Sequence, residues 1–272
     1  MAKDYSVLMS VYHKEKAQFF DESIKSMLNQ TIPPKDFVLV CDGPLTDELD
    51  SIIDKYVEEY GNLFQIVRRA QCGGLGNALN DGLNYCKCEI VARMDTDDIA
   101  RIDRMERQLE AIEKEDADII SGTIEEFDTS IDEILAKRVL PSTNEEILQF
   151  ARQRNPFNHP CVCFKKQAVL DVGSYKEFPL FEDYYLWVRM LQNGAKGVNV
   201  FEPVLYMRTG AGMYDRRGGF SYAKKAIKFR WYLKKTGFSS MADFIKTAGG
   251  QVVVSIMPSK LRQFVYKKAL RK

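Results

Sequence analysis

Residues 93–98 read Arg93-Met94-Asp95-Thr96-Asp97-Asp98, three carboxylates in four positions at the end of the apolar run Glu89-Ile90-Val91-Ala92. Like charges this close repel, and each is driven toward protonation unless a cation or solvent neutralises it. Oxygen-only ligands at this spacing suit a hard divalent ion that keeps positions open for phosphate oxygens. The cluster therefore predicts a metal–diphosphate site at a strand end. Asp98 alone reads as a cap for a helix beginning near Ile102.

Three further segments carry chemistry-bearing residues. Asp42-Gly43-Pro44 closes the strand Phe37-Val38-Leu39-Val40-Cys41, where Asp42 is either a turn residue or a ligand contact. Gly73-Gly74-Leu75-Gly76-Asn77-Ala78 opens a helix. It departs from G-x-G-x-x-G and follows the third strand instead of the first, so dinucleotide chemistry is not indicated. Glycines there permit a tight turn, and the helix N-terminus lets the chain approach phosphates. Glu182-Asp183 opens a helix running to Leu191, as helix dipoles reward in any protein. His159, in the rigid loop Asn155-Pro156-Phe157-Asn158-His159-Pro160, is open between a ligand contact and a loop hydrogen bond.

The elements that must position these residues alternate. Strands are predicted at 5–11, 37–41, 63–67 and 89–94, with helices over 19–28, 47–60 and from Gly73 to Tyr85. The strands are nearly continuous apolar runs, the mark of a parallel sheet covered by helices on both faces. Such sheets bind ligands beyond their carboxyl ends, where the chemistry-bearing residues fall. Beyond residue 100 the pattern loosens. Strands are expected at 119–127, 134–140, 161–164 and 198–207, and from Phe220 onward the pattern is helical and basic, interrupted at Gly249-Gly250 and Pro258.

The chain has 272 residues and a net charge of +1 that is unevenly spread. Residues 221–272 hold thirteen Lys or Arg against one acidic residue, Asp243, while 1–220 hold 26 basic and 37 acidic residues. The basic residues interleave with Phe229, Trp231, Tyr232 and Leu233, and again with Leu261, Phe264, Val265 and Tyr266. This suits an anionic membrane surface; packing on the acidic body is the competing reading, and no nucleic-acid recognition motif is present. The chain has no apolar stretch near the ~20 residues of a spanning helix and no leader pattern, so a cytoplasmic location is expected. Six cysteines without a CxxC pair, and only two histidines, read as buried residues in a reducing compartment and not as a zinc site.

The ordered set Ser10-Val11-Tyr12, Gln30-Thr31, Val40-Cys41-Asp42-Gly43, Gly73 to Asn80, Asp95-Thr96-Asp97-Asp98 and Glu182-Asp183-Tyr184-Tyr185-Leu186-Trp187 resembles the family 2 glycosyltransferases. It is similar above all to the bacterial subgroup that builds capsule, exopolysaccharide and O-antigen repeats, the amylovoran enzymes among them. The resemblance covers residues 5–210. It implies the α/β GT-A fold, a mostly parallel sheet flanked by helices, with a catalytic domain over 1–219. Within it, 1–100 would bind the nucleotide and 101–219 the acceptor, and 220–272 would form a basic amphipathic helical tail.

The resemblance further implies a nucleotide-sugar donor, usually a UDP-sugar, a Mn or Mg ion, and inversion at the anomeric carbon. Asp183 would be the catalytic base and Asp97 the metal ligand. Asp42 would contact the uracil, Asp95 the ribose side, and Ser10, Val11 and Tyr12 would line the nucleotide pocket. Gly74 and Asn77 would lie near the donor, although the basic residue that many members carry near Asn77 is missing here. Arg208 and Arg216, beside Gly210-Ala211-Gly212 and Gly218-Gly219, would close over the phosphates. Glu182, His159 and Trp187 would support the base or meet the acceptor. The processive pattern Gln-x-x-Arg-Trp is absent, since Ile227 stands three positions before Arg230-Trp231, so a single addition is expected. The expected acceptor is a lipid-linked saccharide at the inner face of the plasma membrane. A nucleotidyltransferase and a non-catalytic membrane-docked assembly protein are the alternatives.

Overall fold

A computed structural model describes residues 4–209 and 219–257. The first strand, β1 (Tyr5–Val11), is rich in apolar residues and almost wholly buried. Helix α1 (Ala17–Leu28) turns Phe20, Ile24 and Met27 inward at helical spacing. β2 (Asp36–Cys41) precedes α2 (Asp47–Tyr60), whose start is fixed by Thr46 accepting from the Leu49 amide and by acids in its first turn. β3 (Phe64–Arg68), α3 (Leu75–Tyr85) and β4 (Ile90–Met94) complete the predicted alternation. β1 pairs in parallel with β2 and β4, and β2 with β3. This half is the parallel sheet the apolar runs call for.

The second half is mixed. The two-residue β5 (Ile99–Ala100) leads into α4 (Arg104–Glu115) and the long β6 (Ile119–Phe127). β7 (Ala136–Arg138), α5 (Asn144–Ala151), β8 (Cys163–Lys165) and α6 (Lys166–Asp171) follow. Next come α7 (Glu182–Gln192) and β9 (Gly197–Arg208). The sheet order is β3-β2-β1-β4-β8-β6-β9-β5, with β7 paired to β6. β8 runs antiparallel to β4 and β6, so it stitches the two halves into one sheet. A register irregularity near Thr123 bends β9 along β6 and carries its far end to the acidic loop.

Two apolar layers sandwich the sheet. Ile90, Ala92 and Met94 join the layer of α1, α2 and α4, while Val91 joins that of α3 and α7. A third cluster joins α7 to α8 (Phe220–Lys235) through Phe181, Tyr184, Val188, Tyr222 and Phe229. Helix α9 (Met241–Ile256) begins at a Ser240–Asp243 capping box.

Several expectations need correction. Helix α4 starts at Arg104 with Asp103 at its cap position, so Asp98 caps no helix. The predicted strand at 161–164 begins only at Cys163, because Pro160 sits inside a 3-10 turn over His159–Cys161. Helix α9 passes through Gly249-Gly250 without interruption; its packing with α8 outweighs the poor helix propensity of glycine. Arg216 and residues 258–272 of the tail lie outside the described residues.

Candidate active site

The predicted residues converge on the carboxyl edge of the parallel strands. The β2 end is built around Asp42, whose carboxylate is 4% exposed. It accepts from the Cys72 thiol (3.2 Å) and the amides of Gly73 (2.9 Å) and Gly74 (3.0 Å), and it pairs with Arg69. Burial pushes its pKa up, but these donors outweigh burial and leave it below the ordinary carboxylate value. Gly43 permits the closure. Its φ is +90°, and a Cβ there would lie 2.8 Å from the Cys72 nitrogen. With its lone-pair positions engaged in the loop, Asp42 can meet a uracil only if one partner leaves.

Gly74 precedes α3 with φ +86° and aims that helix N-terminus at the same edge. Asn77 is exposed and donates to the Gly73 carbonyl (2.9 Å), bracing the turn. At the end of β1, Ser10 is half-buried, Val11 accepts through its carbonyl from the Asp42 amide (2.8 Å), and Tyr12 is exposed.

The acidic loop after β4 behaves differently. One oxygen from each of Asp95, Asp97 and Asp98 lies within 4.8 Å of the others. Burial first, then Asp95 and Glu15, push Asp97 up to about 6. Asp98, 2% exposed, is raised by burial and by Asp97 and Asp95, against the Arg208 amide that donates to it (2.8 Å). These clustered, underpaired carboxylates fit a hard divalent cation; Asp97 and Asp95, half-buried, are the ones a ligand can reach. Glu15 accepts from Thr96 (2.6 Å) and Ser23 donates to the Asp95 carbonyl (2.6 Å), which fix the loop against the β1–α1 connection.

Arg208 is placed as a strut. Its Nε donates to the Asp97 carbonyl (3.1 Å), its Nη2 to Glu22 (2.7 Å), and its guanidinium stacks on the rings of Phe19 and Phe127. The predicted closure over phosphates is therefore not its arrangement here, because protein partners already engage the fork.

Opposite the acidic loop lies a cavity of about 230 Å³ lined by Leu75, Gly76, His159, Tyr175, Glu182 and Asp183. Asp183 stands in the first turn of α7 and accepts from the Asn155 side chain (2.6 Å). Burial raises its pKa against the opposing pull of the Tyr184 amide, Asn155, Arg138 and Arg93. A carboxylate so raised is a stronger general base near neutral pH. His159 makes the loop hydrogen bond, with Nε2 and the Tyr175 hydroxyl 2.9 Å apart. Burial, then Arg93, lower its pKa well below the usual histidine value, so it lines the cavity as a neutral ring. Glu182 accepts from the Leu180 amide (3.2 Å) and orients the turn. Trp187 is fully buried against Phe157, His159 and Tyr175, so it supports the cavity wall and cannot meet an acceptor.

A larger open groove of about 660 Å³ runs outside β3 along Arg68, Arg69, Gln71, Asp81 and Tyr85. None of the site carboxylates lines it, and it meets the site only through Arg69.

Sequence reading missed Arg69, Arg93, Asn155 and Tyr175. Arg69 and Arg93 had a usable signal, since each is a basic residue at a strand end on the edge where the acids collect. Asn155 lies in a loop whose rigidity was legible, but its aim at Asp183 was not.

Residues 6–178 match Glycosyl transferase family 2. Over 270 residues the chain is 37% identical to the UDP-Gal:alpha-D-GlcNAc-diphosphoundecaprenol beta-1,3-galactosyltransferase of Escherichia coli, covering 98% of this chain and 97% of the relative. It is also 37% identical over 272 residues to the amylovoran biosynthesis glycosyltransferase AmsE of Erwinia amylovora, covering 97% and 98%. Among solved structures, the mannosyltransferase PcManGT of Pyrobaculum calidifontis, in complex with GDP-Man and Mn2+, superposes with a TM-score of 0.66 at 14% identity, covering 99% of this chain and 82% of that one. Residues 1–349 of S. aureus TarS with UDP-GlcNAc give 0.64 at 15% identity, covering 95% and 69%. Those two likenesses establish the expected GT-A fold. Fold, site layout and kinship together make this chain a member of glycosyl transferase family 2, with the activity of a glycosyltransferase.

Proposed function

We propose that the chain transfers one sugar from a UDP-sugar, with inversion, to a lipid-linked saccharide during bacterial surface-polysaccharide synthesis. The observation that carries this reading is the meeting of two carboxylate sites at one sheet edge. Asp95 and Asp97 stand on the side where a diphosphate would lie, and Asp183 stands in a cavity large enough for one sugar ring. The names of the relatives support the substrate classes: one uses UDP-Gal on a diphosphoundecaprenol-linked GlcNAc, the other serves amylovoran biosynthesis. Family membership removes the nucleotidyltransferase and assembly-protein alternatives.

Asp183 takes the proton of the acceptor hydroxyl as that oxygen bonds to C1 of the donor sugar. The C1–O bond to the diphosphate breaks on the opposite face, so the centre inverts. Asn155 holds one oxygen of Asp183 and leaves the other for the acceptor. Asp97 and Asp95 would hold a divalent Mn or Mg ion, which when bound neutralises charge on the departing diphosphate. Asp42 shapes the loop that carries Gly74, and Ser10, Val11 and Tyr12 form the adjoining wall.

The same reading places the chain at the inner membrane surface. Helix α8 presents Ile227 and Trp231 to solvent beside Lys224, Lys228 and Lys235, and Phe244 of α9 meets Trp231 edge-on. Basic and aromatic residues on one face suit anionic lipid headgroups. No helix among the described residues is long and apolar enough to cross a membrane.

Purified protein with Mn and a panel of nucleotide sugars tests the reading. One diphosphate nucleotide should stabilise the protein thermally in a metal-dependent way, and its sugar should be slowly hydrolysed. Silence toward every nucleotide sinks the donor assignment. Asp183→Asn should abolish transfer and keep nucleotide binding. Flotation with anionic vesicles should lose the protein when residues 221–272 are removed; continued binding would overturn the tail assignment.

A further inference from the structure

The alternation of β4 puts Arg93 on the face of Val91, the one covered by α3 and α7. It is 1% exposed, and its Nη2 pairs with Asp95. Its Nε and Nη1 are buried without a hydrogen-bond partner. A sealed guanidinium with two idle donors lowers stability relative to an apolar side chain of the same size, so a role in the site is what retains it. Its charge reaches Tyr175, His159 and Asp183 on one side and Asp97 and Asp98 on the other.

From this juxtaposition we propose that Arg93 is a positioning residue that couples the two carboxylate sites, its Nη2 fixing Asp95 for the donor and its charge shared with Asp183 beneath the acceptor cavity. The second half rests on the reading of Asp183 as the base. The other groups facing Asp183 are Glu182 and Tyr184 on its own helix, Arg138 from β7, Asn155, neutral His159 and Tyr175. Of the two cations, half-exposed Arg138 has the larger pull on Asp183, and sealed Arg93 is the one that also meets the acidic loop.

Full-length Arg93→Met and Arg93→Lys test the coupling, with UDP plus Mn as the binding probe and hydrolysis of the responding donor as the reaction. Arg93→Met should weaken Mn–UDP binding by about 10- to 100-fold, the usual effect of removing a partner that orients a ligand residue. It should also move the acid limb of the hydrolysis pH profile upward by roughly a few tenths of a unit, as the base loses one of its two cations. Arg93→Lys should restore the limb but not the affinity, because an ammonium keeps the charge but ends one bond short of the Nη2 position that holds Asp95. If either variant folds with a lowered melting temperature yet shows wild-type affinity and an unmoved pH limb, the residue is only part of the core and the proposal fails. Should Arg93→Met not fold, Arg93→Gln carries the pH readout, since it also removes the charge, and Arg93→Lys carries the affinity readout. Wild-type hydrolysis in Asp183→Asn would remove the base reading and the charge-sharing half with it. The Mn–UDP arm would still decide the hold on Asp95.

Discussion

Two acidic strand ends flank β1 on this sheet and have opposite electrostatics. At the end of β2, Asp42 is surrounded by donors and is held below the ordinary carboxylate range. At the end of β4, Asp95, Asp97 and Asp98 crowd one another, and Asp97 and Asp98 are pushed upward. The first is complete within the protein and stabilises it. The second is underpaired, and its mutual repulsion opposes folding. A strand-end aspartate is therefore no evidence of metal binding by itself; what its neighbours donate decides which kind it is.

The largest expected effect breaks the first site. Asp42→Ala leaves two loop amides without their acceptor and Arg69 with only the half-exposed Asp81, which should cost about 2–3 kcal/mol of unfolding free energy, measured by denaturant titration. A cost under about 1 kcal/mol would show that the loop does not depend on Asp42.

Next, Asp97→Asn should have the opposite sign on stability. The metal-free variant should melt at or above the wild-type temperature at pH 7.5. It should also lose the Mn-induced thermal shift, with activity falling by about 100-fold or more. A destabilised variant that still responds to Mn would collapse the distinction between the two loops.

Acidity sharpens the contrast further. The folded pKa of Asp97, about 6, lies above its ordinary value of 3.8. Its contribution to stability is thus full below the unfolded value and lost as pH rises through about 6. Protons compete with metal on the same carboxylate, so Mn affinity should fall as pH drops below about 6. Calorimetric Mn affinities that stay constant between pH 5 and 7 would contradict this. Asp42, being depressed, should contribute in the reverse sense, losing its stabilisation only as pH falls below the usual carboxylate range.

The smallest effect comes from Gly43→Ala. A side chain at φ +90°, against the Cys72 nitrogen, should cost about 1–2 kcal/mol and lift the loop from Asp42. A melting temperature at the wild-type value would mean that the loop does not need that approach.

Much of this was legible in the sequence because continuous apolar strands and strand-end acids are local signals. The parallel half, the edge on which ligands gather, and the helix that carries Asp183 all followed from them. Asp98 was misread because a cap and a buried carboxylate look alike until β9 arrives with the Arg208 amide, 110 residues later. The strut arrangement of Arg208 was hidden for a related reason: Phe19, Phe127 and Glu22, which engage it, are brought together only by tertiary folding. Arg69 and Arg93 went unassigned because a basic residue at a strand end does not say which carboxylate it meets: Asp42 at the end of the neighbouring strand for Arg69, Asp95 two residues on for Arg93. The unbroken α9 likewise depended on α8, a partner no propensity reveals.

The packing of α8 on α7 has a consequence for which acceptors can be used. Phe229 stacks on Phe181 and contacts Tyr184, and Arg230 donates to the Tyr184 hydroxyl (3.2 Å), on the turn that carries Asp183. The exposed basic face and Asp183 thus belong to one packed unit. A lipid surface that held this face would fix the height of Asp183 above it, and the enzyme would act as a ruler. Only a hydroxyl presented at that height would be glycosylated, so acceptors with longer or shorter glycans would be rejected before their chemistry was read.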